Sequence, residues 1–482
     1  MSSSNQTPLI QAIEEYQAKN RQRQHMPGHK GQKQALGLFR NWGNLAGWDL
    51  TEADGLDDLH SPAGALKQAQ EMLAAVVGAK QAHFLVNGAT VGILAAILAA
   101  TAEHPGCSVL LPRNAHRAAW NALALADCQP VWLPVQYLPH GLPLGITPQQ
   151  LQTACQNSPG CQAAFFVYPS YYGVCVDLAQ MLAVCRENQL ISIVDEAHGA
   201  HLPFIAPDMA ATRLGADLVI DSWHKSMGRL GQTAVLLQND RPDQPGLRPE
   251  RWLTMLQTSS PSYPLLASLD AARAEWSEQA AARGLALQQE REAIAEALQQ
   301  TKLLRLYNAA DLPPHFSYDQ SKALLYSAAA HSGWQLAEAL RQSGLEPEFA
   351  DWQWVLLLLS YADMLPDNGL PQLLRALRRA DYILQQTPPR PINEKYLCQP
   401  PSPQKVLNPA EAMRKPIRKV QLKSAAGLLA AGLLTPYPPG IPWLGPGELI
   451  EPEHIAAAES LLQAGGRLQG VENGMISVLD FA

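Results

Sequence analysis

The sequence predicts an α/β fold whose large domain contains a mostly parallel sheet, and three observations lead to that prediction. Between about residues 80 and 240, short β-rich runs alternate with stretches of helical pattern. These runs are continuously apolar, which is typical of strands that are covered on both faces. After Pro264 the pattern changes to long helices and then to a mixture of short strands and helices. We therefore expect a large sheet domain followed by smaller domains.

The predicted strands are HFLVN, CSVLLP, PVWLPVQY, AAFFVYPS, LISIVDE, ADLVIDS and TAVLLQ. The predicted helices between them include VGILAAILAATA, AHRAAWNALALA, TPQQLQTACQ and VDLAQMLAVCREN. The domains that we predict are an N-terminal segment (1–60), a large domain with linking helices (61–300), a small α+β domain (301–386), a proline-rich linker (387–405) and a C-terminal domain (406–482). Sheets of this kind bind ligands beyond the carboxyl ends of their strands, so the polar residues that follow each run are the candidates for function.

Composition excludes several classes of protein. The formal net charge of −7 argues against a surface dedicated to nucleic acids or anionic membranes. The seven cysteines form no Cys-x-x-Cys pair, and we interpret them as reduced thiols of a cytoplasmic protein. The first residues show no secretory signal, and the longest apolar stretch is too short to cross a bilayer. Nothing in the sequence predicts a metal site.

Two segments predict a catalytic centre. The segment DSWHKSMGRLGQ places Lys225 shortly after a predicted strand, between small polar residues and glycines. A buried lysine in such a loop suits a Schiff base with a carbonyl cofactor. The segment LISIVDEAHGAH places Asp195 at the end of another strand, where a carboxylate is able to keep the ring nitrogen of pyridoxal 5′-phosphate (PLP) protonated. A surface lysine and a helix-capping aspartate are the alternative interpretations, and the combination favours the PLP site.

Two further segments extend this site. HFLVNGATVGILAAI reads as a strand, a tight turn and a helix start, so the backbone N–H groups near Gly88 and the Thr90 hydroxyl are candidate phosphate ligands. LLPRNAHRAAW places His116 after the next strand, where an imidazole is able to stack on a cofactor ring and to help protonate the substrate carbon. A structural role for His116 is an equally good interpretation of that segment alone.

At these residues the sequence resembles the Orn/Lys/Arg decarboxylase family, which has the PLP-dependent transferase fold type I of aspartate aminotransferase. The segments that carry the resemblance span nearly the whole chain: HMPGHKG (25–31), DLTEADGLDDLHSPAGALKQAQ (49–70), FLVNGATVGILAAI (84–97), RNAHRAAWNAL (113–123), YPSYYGVCVDL (168–178), VDEAHGAH (194–201), DSWHKS (221–226), QTSSPSYPLLASLDAAR (257–273) and PYPPGIPWLGPGE (436–448).

The resemblance implies a role for individual residues. Lys225 is the expected Schiff-base lysine and Asp195 the expected partner of the pyridine nitrogen. His116 is expected to stack over the cofactor ring, and Ala197 to pack on its other face. The remaining expected cofactor contacts, most of them at the phosphate, are Gly88, Ala89, Thr90, His198, Ser222 and His224.

The resemblance also implies a homodimer with active sites at the subunit interface. On that basis Thr258, Ser259 and Ser260 are expected to reach the phosphate of the neighbouring subunit. The chain departs from the family at Ala89, where many relatives have Ser, and at Trp223, where a small residue is usual. It also lacks the N-terminal wing domain of the longer members, so their large ring-like assemblies are not expected.

The expected reaction is decarboxylation of a basic amino acid to a polyamine-type amine, with arginine favoured over lysine and ornithine because the wingless form resembles biosynthetic arginine decarboxylases. Another PLP reaction on this fold, such as transamination, is one alternative, and a catalytically silent regulatory paralogue is the other. The carboxylate that binds the distal cation of the substrate is left open among Asp54, Asp57, Asp58 and Glu448.

Overall fold

The computed structural model describes residues 6–241, 246–365, 369–390, 403–437 and 440–481. Residues 391–402, which make up most of the predicted proline-rich linker, lie outside the described residues. So do residues 438 and 439 of the proline-rich segment near the C-terminus.

The α-helices, in chain order, are α1 (Pro8–Ala18), α2 (Leu45–Trp48), α3 (Ala65–Val77), α4 (Gly88–Thr101), α5 (Arg117–Leu125), α6 (Pro148–Asn157), α7 (Leu178–Glu187), α8 (Leu202–Ile205), α9 (Ala211–Leu214), α10 (Trp223–Ser226), α11 (Pro249–Leu256), α12 (Tyr263–Gln299), α13 (Gly333–Gln342), α14 (Leu370–Gln385), α15 (Pro409–Met413) and α16 (Pro452–Gln463).

The strands, in chain order, are β1 (Gln81–Leu85), β2 (Ser108–Pro112), β3 (Gln129–Leu133), β4 (Gln136–Tyr137), β5 (Pro143–Gly145), β6 (Cys161–Val167), β7 (Val174–Val176), β8 (Ile191–Asp195), β9 (Leu218–Asp221), β10 (Ala234–Gln238), β11 (Leu304–Leu306), β12 (Phe316–Tyr318), β13 (Lys322–Ser327), β14 (Phe349–Ala350), β15 (Val355–Leu358), β16 (Ile417–Gln421), β17 (Thr435–Pro436), β18 (Leu468–Gln469), β19 (Val471–Glu472) and β20 (Met475–Leu479).

Two compact units divide the chain. The first unit consists of residues 1–99 and 193–283, and the second consists of residues 100–192 and 284–482. Each unit is therefore assembled from two separate parts of the chain, and this division differs from the consecutive domains that the sequence predicted.

The first unit contains strands β1, β10, β9 and β8, in that order. β10 pairs antiparallel with both β1 and β9, and β9 pairs parallel with β8, so three of the four strands run in one direction. Helix α4 packs closely on this sheet, because a Cβ atom added to Gly92 would lie 2.9 Å from the side chains of Leu85 and Ile220. The sheet presents the carboxyl ends of β8 and β9 at the same edge, which is where the sequence predicted the chemistry.

The second unit contains the parallel strands β6, β2 and β3, in that order. It also contains a four-stranded antiparallel sheet, β11-β13-β15-β14, and a three-stranded antiparallel sheet, β16-β20-β19. One core cluster, which includes Tyr172, Trp354 and Leu356, lies against the four-stranded sheet. A second cluster, which includes Leu444, Leu461 and Val478, lies against the three-stranded sheet.

The observed elements confirm the predicted α/β fold class with its mostly parallel sheet. Each predicted strand appears, although PVWLPVQY divides into β3 and β4. The stretch after Pro264, which the sequence left as one or two helices, is the single 37-residue helix α12. Among the described residues, no helix is both long enough and apolar enough to cross a membrane.

Candidate active site

Lys225 lies in the one-turn helix α10, which follows β9. Trp223, the first residue of this helix, is fully buried. Its backbone N–H donates to the Thr233 carbonyl over 3.0 Å, and this bond holds the turn in place. The Trp223 indole also meets the Phe204 ring edge to face, with the centroids 6.1 Å apart. The tryptophan that departs from the family pattern therefore fills the core beneath the lysine and anchors its turn.

The ammonium of Lys225 contacts the imidazole of His198, and the distance from Nζ to Nε2 is 3.0 Å. A lysine ammonium only donates hydrogen bonds, so His198 accepts with Nε2 and carries its hydrogen on Nδ1. His198 is buried, while Lys225 is only partly buried. The structure thus gives His198, which the resemblance assigned to the cofactor, a direct contact with the predicted catalytic lysine.

Asp195 is the last residue of β8 and is 6% exposed. Its Oδ1 accepts the backbone N–H of Ala197 over 3.2 Å. Burial raises the pKa of Asp195, and the positive charge of Lys225 and the Ala197 hydrogen bond offset part of that rise. A carboxylate in this environment requires a positive group beside it in order to stay ionised.

Two more acids are chain neighbours of predicted site residues, since Glu196 follows Asp195 and Asp221 precedes Ser222. Both side chains are fully buried, and Oε1 of Glu196 accepts the backbone N–H of Ala211 over 3.0 Å. Burial raises the pKa of Asp221 to about 8. At neutral pH the Asp221 carboxyl is therefore mostly protonated, and it adds little negative charge near Asp195.

The predicted phosphate ligands Ser222 and His224 lie at the start of the same turn. Nδ1 of His224 is 3.1 Å from the Thr233 carbonyl oxygen and 3.3 Å from Oγ of Ser222. Because a carbonyl oxygen only accepts, Nδ1 carries the hydrogen. The hydroxyl hydrogen of Ser222 is then available for a further acceptor. Burial and the Lys225 charge lower the pKa of His224, which favours the neutral imidazole.

The start of α4 supplies backbone donors to the first unit. Gly88 adopts a left-handed conformation with φ of 74°, which suits glycine. Its N–H donates to the Gln232 carbonyl over 3.0 Å, so this group already has a partner. Ala89 and Thr90 follow in the first helical turn, where N–H groups have no partner within the helix. Thr90 is exposed, and its role as a phosphate ligand stays a prediction.

The loop that contains Ser259 is held against the end of β1 in the same unit. The amide of Gln257 accepts the Val86 N–H over 3.0 Å, and the N–H of Thr258 donates to the side chain of Asn87 over 3.3 Å. Ser259 itself is exposed. Sequence reasoning gave Gln257 and Asn87 no role, because only the fold brings residues 86 and 87 to the loop that begins at Gln257. The role of Ser259 at a neighbouring subunit stays a prediction.

His116 belongs to the second unit, where it caps the N-terminus of α5. Its Nδ1 accepts the N–H of Ala118 over 3.2 Å, so the hydrogen of the neutral ring is on Nε2. This is the structural role that the sequence left open. The stacking role of His116 that the resemblance implies stays a prediction.

Glu448, one candidate for the distal cation of the substrate, is engaged within the second unit. Its carboxylate is 1% exposed and makes two bonds to the guanidinium of Arg113, at 2.6 and 3.1 Å. The guanidinium also lies over Trp120 and Trp132, with its carbon 4.9 and 4.8 Å from the ring centroids. Gly445 completes the cluster, since an added Cβ would lie 1.9 Å from the Trp120 ring. The geometry assigns Glu448 a structural function.

We expect Glu448→Gln to lower the free energy of unfolding by about 3–5 kcal/mol, because the change leaves the Arg113 charge buried without its partner. Urea unfolding of the variant and of the wild type measures this difference. The KM for the amino-acid substrate is expected to stay within about twofold of the wild-type value. A large rise in KM without a loss of stability would instead indicate that Glu448 binds the substrate.

Asp57 is also engaged, at the N-terminus of α3. Its two carboxylate oxygens accept five backbone N–H groups at 2.8–3.2 Å, those of Asp58, Ala63, Gly64, Leu66 and Lys67. Burial alone would raise the pKa of Asp57, but the combined N–H bonds hold it below its ordinary value. Asp57 therefore caps a helix, and among the predicted acids Asp54 and Asp58 remain as candidates for the substrate cation.

We expect Asp57→Ala to lower the free energy of unfolding by about 1 kcal/mol at pH 7, the usual cost of losing an N-cap. Since the folded-state pKa is below the unfolded one, the contribution of Asp57 is complete above the unfolded pKa and disappears as the pH falls through the folded pKa. The stability difference between variant and wild type should accordingly shrink as the pH is lowered below about 4. Urea unfolding at several pH values measures it, and a constant difference would contradict the assignment.

The donor set of the first unit fits PLP. A buried carboxylate with a raised pKa suits a protonated ring nitrogen, and Lys225 is a partly buried amine beside an acceptor, His198. The Ser222 hydroxyl and the first turn of α4 suit a phosphate. Among the described residues, no group of three or more His, Cys, Asp or Glu side chains is arranged to hold a metal ion.

Comparison with known proteins places these residues in a family. Residues 7–318 match the profile described as "Orn/Lys/Arg decarboxylase, major domain", and residues 392–467 match that of the family's C-terminal domain. The chain is 32% identical to the uncharacterised protein YaaO of Bacillus subtilis (strain 168), over 96% of both chains. It is 30% identical to an arginine decarboxylase of the same organism, over 99% of this chain and 98% of that one.

Among solved structures, the lysine decarboxylase LdcF of Francisella novicida superposes with a TM-score of 0.85. The match covers 99% of this chain and 81% of that one, with 17% sequence identity. At this identity the likeness concerns the fold alone, and it agrees with the fold type that the sequence predicted.

Proposed function

The chain belongs to the Orn/Lys/Arg decarboxylase family, and we propose that it is a PLP-dependent decarboxylase that converts arginine to agmatine and CO₂. The observation that carries the proposal is the arrangement of Asp195, His198 and Lys225 at the carboxyl ends of β8 and β9. The choice of arginine is supported by relatives that carry the name arginine decarboxylase and align over 99% of this chain at about 30% identity.

Five side chains would hold the cofactor in this proposal. Lys225 would bind it covalently through Nζ, Asp195 would face the ring nitrogen, and Ser222, His224 and Thr90 would bind the phosphate. When bound, PLP accepts the electron pair of the broken Cα–carboxylate bond. The buried position of Asp195 makes its charge effective, because little solvent screens it.

The polar residues around Lys225 determine how it moves a proton. The Nζ ammonium donates to Nε2 of His198, which holds the lysine side chain at a fixed position in the turn. A neutral Lys225 amine accepts a proton at Nζ and an ammonium returns one, so this atom is suited to protonate the substrate α-carbon after CO₂ leaves. His116 is the second candidate for that proton transfer, through its Nε2–H.

We also propose a homodimer as the functional assembly. The first unit exposes apolar side chains in its N-terminal part, with exposures of 98% for Leu38, 54% for Phe39 and 64% for Trp42. A second copy of this chain is the partner that would cover them. Analytical ultracentrifugation should give twice the chain mass, and Leu38→Ser together with Trp42→Ser should shift the protein towards the monomer. A wild-type protein that sediments as a monomer would contradict this assembly.

The decisive experiment supplies the purified, PLP-loaded protein with arginine, lysine and ornithine in separate reactions and measures CO₂ and amine. Arginine should give CO₂ and agmatine in equal amounts, without an added keto acid. Product formation that requires a keto acid would favour transamination. Absence of CO₂ from all three substrates, with the cofactor still bound, would favour a silent regulatory paralogue.

A further inference from the structure

Three cysteines lie together at the amino ends of the parallel strands in the second unit. Cys107 precedes β2, Cys128 precedes β3, and Cys161 is the first residue of β6. This is the opposite end of these strands from Arg113 and His116, which follow the carboxyl end of β2. The proposed decarboxylase chemistry makes no use of these thiols.

The pairing of β2 with β3 brings two of these cysteines side by side. Ser108 and Gln129 are partners in the parallel register, and the Gln129 N–H donates to the Cys107 carbonyl over 2.8 Å. Neighbouring strands lie about 4.8 Å apart, which is within the range of about 4.4–6.8 Å that a disulfide spans between Cα atoms. The sulfur atoms of Cys107 and Cys128 are already in contact at 3.3 Å.

We propose that Cys107 and Cys128 are a reversible oxidation site, at which a peroxide converts the two thiols to a disulfide between the starts of β2 and β3. Both side chains project to the same side of the two strands, because partners in a register share a face. A small rotation about the two Cα–Cβ bonds is then enough to bring sulfurs that are in contact to bonding distance. The backbone ladder is not disturbed.

The solvent exposure of Cys107 and the lowered pKa of Cys128 also support oxidation of this pair. Cys128 is fully buried, but Cys107 is only partly buried and follows residues 102–106, which are all exposed. A molecule as small as hydrogen peroxide therefore reaches the pair from the side of Cys107. A Cys107 S–H that donates across the 3.3 Å contact stabilises a Cys128 thiolate, and this hydrogen bond lowers the pKa of Cys128 to about 7. A thiolate is the form that reacts with peroxides.

The oxidation balances with peroxide as the only oxidant. The Cys128 thiolate attacks one peroxide oxygen, the O–O bond breaks, and a sulfenic acid and hydroxide form. The hydroxide takes the proton of the Cys107 thiol and becomes water. The Cys107 thiolate then attacks the Cys128 sulfur, the S–O bond breaks, and the leaving hydroxide takes up the proton that Cys128 had released. In total, two thiols are oxidised and one peroxide is reduced to two waters.

Cys161 is the other cysteine near Cys107 with which a disulfide has to be considered. Its strand partner is Ser108, the residue after Cys107, so its side chain is offset from that of Cys107. Successive residues of a strand project to opposite faces, so Ser108 and its partner Cys161 face away from the side chain of Cys107. Burial raises the pKa of Cys161 to about 11, which leaves it protonated at neutral pH. Cys161 is therefore expected to stay reduced under conditions that oxidise the pair.

The test uses the full-length holoenzyme, reduced and then freed of reductant, and treats it with a small excess of hydrogen peroxide at pH 7.5. Thiol titration after denaturation should show the loss of two of the seven cysteine thiols. Mass spectrometry of a proteolytic digest should show a cross-linked peptide that joins Cys107 to Cys128 and that a thiol reductant separates. Cys107→Ser and Cys128→Ser should each abolish this peptide.

Cys161→Ser and Cys185→Ser are the matched controls, since Cys185 is buried within α7 of the same unit. Both should form the Cys107–Cys128 peptide as readily as the wild type. A cross-link that involves Cys161, oxidation of Cys107 to a sulfinic acid without a cross-link, or no loss of thiols would each overturn the proposal. Because these readouts do not depend on turnover, they stay informative even if the substrate assignment fails.

Discussion

Replacing Lys225 with Ala is expected to abolish decarboxylation of arginine, with kcat lower by about 10⁴-fold or more, the scale seen when a covalent catalytic group is removed from an enzyme. The change removes the amine that would bind the cofactor and that would return a proton to the substrate. It also leaves His198 without the donor that now lies 3.0 Å from its Nε2. Single-turnover measurement of CO₂ and the visible absorbance of the bound cofactor check the two effects separately.

Lys225→Arg separates the covalent role from a purely electrostatic one. Arginine keeps the positive charge that offsets the pKa rise of Asp195 but is unable to form the same bond to a carbonyl group. We expect this variant to be as inactive as Lys225→Ala. Lys67→Ala, at a side chain that is 56% exposed in the same unit, is the control and should keep full activity. Substantial activity in Lys225→Arg would show that Lys225 acts through its charge.

Local sequence patterns predicted the strands because each is a short, continuous apolar run between polar residues. β9 and β10 illustrate this, since their residues are buried throughout. The same property located Asp195 and Lys225, because parallel strands bring their carboxyl ends to one edge. The prediction therefore needed only the order of runs and the residue that follows each one.

Local sequence patterns did not predict the contacts between distant parts of the chain. Arg113 and Glu448 are 335 positions apart, so an acid that looked available to a substrate is in fact a buried partner of a guanidinium. Asp57 looked equally available, but the backbone folds back so that residues 63–67 donate to it. The two-unit division has the same origin, because segments from both halves of the sequence complete each unit.

Asp195→Asn is expected to lower kcat by about 10²–10³-fold, which corresponds to about 2.7–4 kcal/mol of lost electrostatic stabilisation. Asparagine has nearly the same volume and its side-chain oxygen still accepts the N–H of Ala197. The variant therefore removes the negative charge and little else. Steady-state kinetics with arginine should show the loss in kcat with a much smaller change in KM, since Asp195 faces the expected cofactor ring rather than the substrate.

The pH profile distinguishes this role from a structural one. Burial raises the pKa of Asp195, so the wild-type kcat should fall towards acidic pH as the carboxylate is protonated, and Asp195→Asn should lack this dependence. Asp177→Asn, at a carboxylate that accepts the Gln180 N–H over 3.1 Å as a helix cap, controls for an ordinary loss of charge and should retain wild-type kinetics. If Asp195→Asn kept more than half of the wild-type kcat, Asp195 would not be the partner of the ring nitrogen.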